Sequence, residues 1–228
     1  KVDDFSPNRY PTLIQLRSDT QYSWMMALSD QTSYLGVWMG SVNGWSRIKT
    51  STPASTFIGN WVHIVATYNG SGPTTQGNFT IYVNGLGTTL SSAGGFATTN
   101  QVNSFGAGVG PGTLNLLEGS LSDISVWDIE LNSSQVTDIY NSGVPTDISA
   151  ESGLVSYWKM GDDATYDNSL TQFTIPDIKQ VLYSTKSFDF NGSSSYVTMG
   201  DVLDFEMTDT LSISCWMKKP AGGYDMLV

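Results

Sequence analysis

Histidine and cysteine each occur once in this 228-residue chain, at His63 and Cys215. A single cysteine excludes an internal disulfide framework, and its apolar neighbours Ile213 and Trp216 predict a buried thiol that packs as a small hydrophobe. A single histidine means that any Ser-His-Asp or Cys-His arrangement has to be built on His63. Charge is scarce too: 14% of residues are Asp, Glu, Lys or Arg, with 10 basic residues against 21 acidic ones. The formal net charge of −11 makes nucleic acid and anionic membrane poor partners. No apolar run approaches the roughly 20 residues of a membrane-spanning helix, and no basic-then-apolar leader opens the sequence, so no membrane insertion is expected.

What is present is ample material for a core. Hydrophobic residues make up 39% of the chain and aromatic ones 12%, with seven Trp, which argues against disorder. Short apolar or period-two runs recur between Gly, Asn, Ser and Thr: "TLIQL" (12–16), "YSWMMAL" (22–28), "YLGVWM" (34–39), "WVHIVATY" (61–68), "FTIYV" (79–83), "SLSDISVWD" (120–128), "LVSYWKM" (154–160), "SYVTM" (195–199) and "TLSISCWM" (210–217). Their β-branched and aromatic content predicts strands. Asn-Gly pairs at 43–44, 69–70, 84–85 and 191–192 tolerate the positive φ of tight hairpin turns. One helix is predicted at "NSSQVTDIYNSG", with Asn132 as cap, Gln135 three residues on, Val136, Ile139 and Tyr140 on one face and Gly143 at the end. Many short strands with one short helix, and no repeated crossover helices, predict an all-β antiparallel sandwich or jelly roll.

The succession "WVHIVATYNG" (61–70), "FTIYVNG" (79–85), "GAGVG" (106–110) and "EGSLSDISVWDIELNSSQVTDIYNSG" (118–143) resembles the laminin-G-like, concanavalin A-like jelly-roll family in order and spacing. The same resemblance implies how a module begins: "GLVSYWKMGDD" (153–163), then "KSFDFNGSSSYVTMGD" (186–201) and "LSISCWMKKPAGG" (211–223). Here these strings come last. Residues 1–150 therefore resemble the C-terminal two thirds of a module and residues 151–228 the N-terminal third of the same or the next one, a permuted or out-of-phase frame. The chain starts with Lys1 and stops inside the apolar "YDMLV", so both ends read as cut or processed. Three arrangements are open: self-closure as a circular permutation, completion of a neighbouring copy by residues 187–228, or a window on tandem modules. The last two together are favoured over the first, chiefly because both ends read as cut, and they share the motive that hydrophobic strands such as "LSISCWM" need a cover. Neighbouring copies or modules of the same protein are the expected partners.

No catalytic constellation accompanies the fold. His63 lies where the resemblance implies a structural histidine, and no Gly-x-Ser-x-Gly turn exists. The Glu-x-Asp-x-x-Glu string of related β-glucanases, which sets two carboxyl groups about 5 Å apart, is also missing. The chain is expected not to be an enzyme. For carbohydrate, the candidate is Trp45 with Asn43 and Arg47, an aromatic face beside polar groups at a predicted hairpin. For metal, "GDDATYDN" (161–168) gathers Asp162 and Asp163, and the resemblance implies calcium between this region and Asp123; Ser194 and Ser195 stand where the family often has further acidic ligands. Sequons occur at Asn69, Asn78, Asn132 and Asn191. The expected function is a non-catalytic structural or adhesion module of an extracellular or virion-surface fibre or decoration protein. The alternative is a lectin-type module that binds surface glycans, with calcium as an expected cofactor.

Overall fold

The computed structural model describes residues 12–18, 21–28, 34–41, 44–53, 59–71, 75–93, 104–107, 117–161, 164–167, 172–175, 188–191, 197–198 and 210–218. In chain order the strands begin with β1 (Thr12–Ser18), β2 (Gln21–Leu28), β3 (Tyr34–Ser41), β4 (Gly44–Pro53), β5 (Trp61–Tyr68), β6 (Phe79–Val83), β7 (Leu86–Gly87) and β8 (Leu90–Ala93). They continue with β9 (Ser104–Ala107), β10 (Glu118–Trp127), β11 (Leu154–Trp158), β12 (Thr165–Asp167), β13 (Gln172–Thr174), β14 (Phe188–Asn191), β15 (Val197–Thr198) and β16 (Leu211–Lys218). Among the described residues one α-helix, α1 (Ser133–Tyr140), interrupts them.

The strands form two facing antiparallel sheets. Sheet one runs β15-β9-β1-β2-β3-β4-β8, and sheet two runs β11-β10-β16-β5-β6-β7, with β14 also on β10. β12 and β13 pair as a separate hairpin. Period-two alternation explains the layering, since alternate side chains point to opposite faces of a sheet. Met26, Leu28, Leu35, Val37 and Ile48 of sheet one meet Val62, Ile64, Leu121, Ile124, Ile213 and Met217 of sheet two in one sealed core. Each such side chain contributes about 1.5–3 kcal/mol by leaving water.

Sheet two is buried on both faces. Its outer face carries Val65, Trp127, Leu154 and Tyr157, which pack with Leu131, Val136, Ile139 and Ile148 from α1 and its flanks. The helix forms where the sequence predicts it, and its start is a full capping box. Asn132 Oδ1 accepts from the N–H groups of Ser134 and Gln135, at 2.9 and 3.0 Å, while Gln135 Oε1 accepts from Asn132 N–H at 2.9 Å. The Asn84-Gly85 turn joins β6 to β7 with φ of 50° and 80°, the positive values that an Asn-Gly hairpin allows. At the β3–β4 hairpin Ser41 pairs with Gly44.

The C-terminal third inserts into the body of the same chain. β16 lies between β5 and β10, β14 extends along Glu118–Leu121 of β10, and β15 pairs with β9. In the one chain described these strands pair with residues 1–150, the pairing that the self-closed reading requires. β16 is apolar on its core face and carries Ser212, Ser214 and Trp216 on the other, and the gap between β5 and β10 offers a cover for each.

Candidate functional site

The outer face of sheet two concentrates the residues of chemical interest. His63 on β5 stands directly opposite Trp216 on β16, because Lys218 pairs with Trp61 and the register proceeds in step from there. Tyr140, the last residue of α1, lies over both. The His63 and Tyr140 rings are 5.9 Å apart at 17°, His63 and Trp216 5.1 Å at 36°, and Tyr140 and Trp216 5.9 Å at 25°. The Asn84-Gly85 turn closes the cluster from the side. Asn84 Oδ1 accepts from His63 N–H at 3.0 Å, and Asn84 N–H donates to the His63 carbonyl at 2.9 Å. Gly85 abuts the Tyr140 ring so closely that a Cβ there would come within 2.8 Å of Tyr140 Cδ1, and its φ of +80° is itself a glycine value.

His63 is fully buried and works as a packing group. Its Nε2 lies 2.6 Å from Ser214 Oγ, while Nδ1 has no hydrogen-bond partner among the described residues. Burial pushes its pKa down to about 3, so the ring is neutral at ordinary pH. A neutral imidazole enclosed by Tyr140, Trp216 and the Asn84 turn has no open face from which to take a substrate proton. Cys215 on the neighbouring inner face is equally enclosed, with burial pushing its thiol up to about 12.

The rim of this cluster is different. Trp61, two residues before His63 and so on the same strand face, is 40% exposed, and Leu86 just past the Asn84-Gly85 turn is 74% exposed. Trp61, beside the cluster of half-buried Tyr140, is thus an exposed aromatic ledge at one end of the outer face, whereas Leu86 pairs with Val83, itself opposite core-facing Ile64, and belongs to the other face. Sequence reasoning did not single out Trp61. The available signal was its two-residue offset from His63 combined with its place at the strand's mouth, where cover runs out.

Asp123 occupies a defined position on β10, though not the one expected of a ligand. One edge of β10 is shared: Glu118–Leu121 pair with β14 and Ile124–Trp127 with β11. On the other edge the register against β16 slips between Ser122 and Ser125. Asp123 sits at this break with φ of 51°, a left-handed value sparsely populated by non-glycine residues. It is 6% exposed; Oδ1 accepts from Tyr157 Oη–H of β11 at 2.5 Å and Oδ2 from Ser122 Oγ–H at 2.7 Å. A carboxylate with an O–H donor on each oxygen is a brace between strands. Among the described residues no three His, Cys, Asp or Glu side chains gather in a way that could hold a metal ion, and Asp123 alone does not fit a calcium site. Asp162 and Asp163 lie outside the described residues.

The carbohydrate candidates fall on sheet one. Trp45 and Arg47 are two apart on β4, opposite Gly40 and Trp38 of β3, so the register places them on one face; Asn43 lies outside the described residues. The structure thus puts Trp45 and Arg47 on a different sheet from the Trp61 ledge.

Comparison with known proteins adds one positive finding. No curated protein and no solved structure matches the chain. A laminin-G-type family model, described as the concanavalin A-like lectin/glucanases superfamily, matches residues 2–137, more than half of the sequence. That span carries β1 through β10 and most of α1, the strands and helix that carry the resemblance. The two-sheet antiparallel sandwich and the family match agree, and the chain belongs to the concanavalin A-like lectin/glucanase superfamily as a lectin-like β-sandwich module.

Proposed function

We propose that this chain is a non-catalytic adhesion and structural module of an extracellular or virion-surface fibre or decoration protein. The observation that carries the reading is the state of its reactive side chains: His63, Asp123 and Cys215 are all buried, and His63 and Asp123 each tie neighbouring strands together. Such a molecule acts through its surface. The low proportion of charged residues and the acidic balance suit a module that meets neighbours or sugars rather than polyanions. The test is immunolabelling of the intact native source, cells and particles alike, with antibodies to the folded chain. Label on unopened surfaces supports the reading, and label only after lysis or disruption overturns it.

A second reading, glycan recognition, is favoured by the exposed Trp61 ledge, since a sugar ring stacks on an open indole face. Screening wild type, Trp61→Ala and Trp45→Ala against immobilised glycans, with and without a calcium chelator, separates the two aromatic candidates. Loss of binding in Trp61→Ala alone assigns the ledge, and loss in Trp45→Ala alone assigns the β3–β4 hairpin. No binding by wild type removes this reading, and sensitivity to the chelator is what a calcium requirement predicts.

A further inference from the structure

β16 is held by partners that are remote in the chain. Its eight residues pair with Trp61–Tyr68 on one side and with residues between Ser120 and Trp127 on the other. Both faces are sealed: Leu211, Ile213, Cys215 and Met217 face the core, and Ser212, Ser214 and Trp216 lie beneath the outer layer. The side-chain bonds are long-range too. Ser214 meets His63 across 151 residues of sequence, and Ser212 Oγ accepts from Leu131 N–H at 3.0 Å and donates to the Ile129 carbonyl at 2.9 Å. None of these bonds depends on which chain supplies the strand. With β16 withdrawn, β5 and β10 become two facing open edges about 10 Å apart, each with unpaired N–H and C=O groups, and the His63 and Leu131 partners are lost. The slot fits one chemistry: an antiparallel strand, apolar on its core face and carrying two serines and an indole on the other, in a register pinned by the break at Asp123.

We propose that the slot between β5 and β10 is an assembly site for a second copy of this chain, which inserts its own β16 in place of the resident strand. The proposal rests on strand pairing and stands whether or not the surface reading holds. Contacts in cis and in trans are equivalent, so the balance follows local concentration: a tethered strand has an effective concentration of about 1 mM. Dilute chains close on themselves, as in the structure, and chains crowded near that concentration exchange strands into dimers or head-to-tail chains.

The test uses the full chain with Cys215→Ala as background and cysteines at two directly opposed outer-face positions, Thr67→Cys and Ser212→Cys. Opposed residues of antiparallel strands stand about 4.5–5.5 Å apart at Cα, within disulfide reach. The protein is refolded from denaturant at about 1 μM and at about 1 mM, concentrations that bracket the effective value, oxidised, and run under denaturing, non-reducing conditions. Internally bridged monomer at the lower concentration, with bridged dimers and a ladder at the higher, is expected. Mixing the two single-cysteine chains at the higher concentration is expected to yield the bridged heterodimer. Bridged monomer alone at both concentrations overturns the proposal, as does an aggregate that forms without the 67–212 bridge. Wild-type chain refolded in the same way guards against a variant that fails to fold: dimers that dissociate slowly on dilution are expected in light scattering, and monomer throughout overturns exchange.

Discussion

His63 couples the packing of β5, β16 and α1 to acid. Its folded pKa of about 3 lies below the unfolded value of 6.5. Between those values the unfolded chain takes up a proton that the folded chain refuses, so its contribution is intact above pH 6.5 and is lost as pH falls, by about 1.4 kcal/mol per unit. Denaturant midpoints are expected to drop steeply for wild type from pH 7 to pH 4 and less steeply for His63→Gln; parallel profiles would contradict the assignment. Gly85→Ala forces a methyl into the Tyr140 ring at a φ of +80°, and a loss of about 1–3 kcal/mol is expected in thermal or denaturant melts. At this scale the sequence was partly legible. The packing role of His63 was implied by the family resemblance of its strand, whereas the brace at Asp123 depends on a left-handed backbone and on Tyr157, 34 residues away, which local pattern does not reveal.

Among the elements, α1 was the most legible, because a helix start is written in adjacent residues: Asn132 and Gln135 satisfy each other's orphan N–H groups. Asn132→Ala is therefore expected to cost about 1 kcal/mol, read as a lower melting temperature, with Ser133→Ala, outside the capping box, as a control near zero. Strands with β-branched or aromatic alternation, such as β5, β6 and β16, were equally visible. β4 was not, because "GWSRIKTSTP" is mostly polar and earns its place from cross-strand partners on β3 and β8. The three-residue strands of the β12–β13 hairpin are too short to show a period at all.

For the whole molecule, the placement of β16 makes the two stretches recognised in the sequence mutually dependent. Ile213 is fully buried within the shared core, so Ile213→Asp sets an unpaired charge between sheets. The expected result is loss of one cooperative transition, with the signals of residues 1–150 and 151–228 disappearing together by NMR or circular dichroism. Survival of a folded 1–150 portion would instead establish the sequence division as a division of stability. The antiparallel sandwich was legible because it follows from many short strands and turn signals. The pairing of the last strand was not, since β16 meets β5 across some 151 residues of sequence and no local pattern encodes that contact.

The central place of β16 also sets a timetable for synthesis. β5 and β10 are made well before the strand that joins them, and at 5–20 residues per second the roughly 84 residues between Trp127 and Leu211 take about 4–17 s to emerge. Throughout that interval a nascent chain carries two matching open edges, while neighbours on the same message carry the same pair. The ribosome's pace, and whatever shields those edges meanwhile, therefore bears on the yield of correctly closed molecules as directly as any contact in the finished sheet.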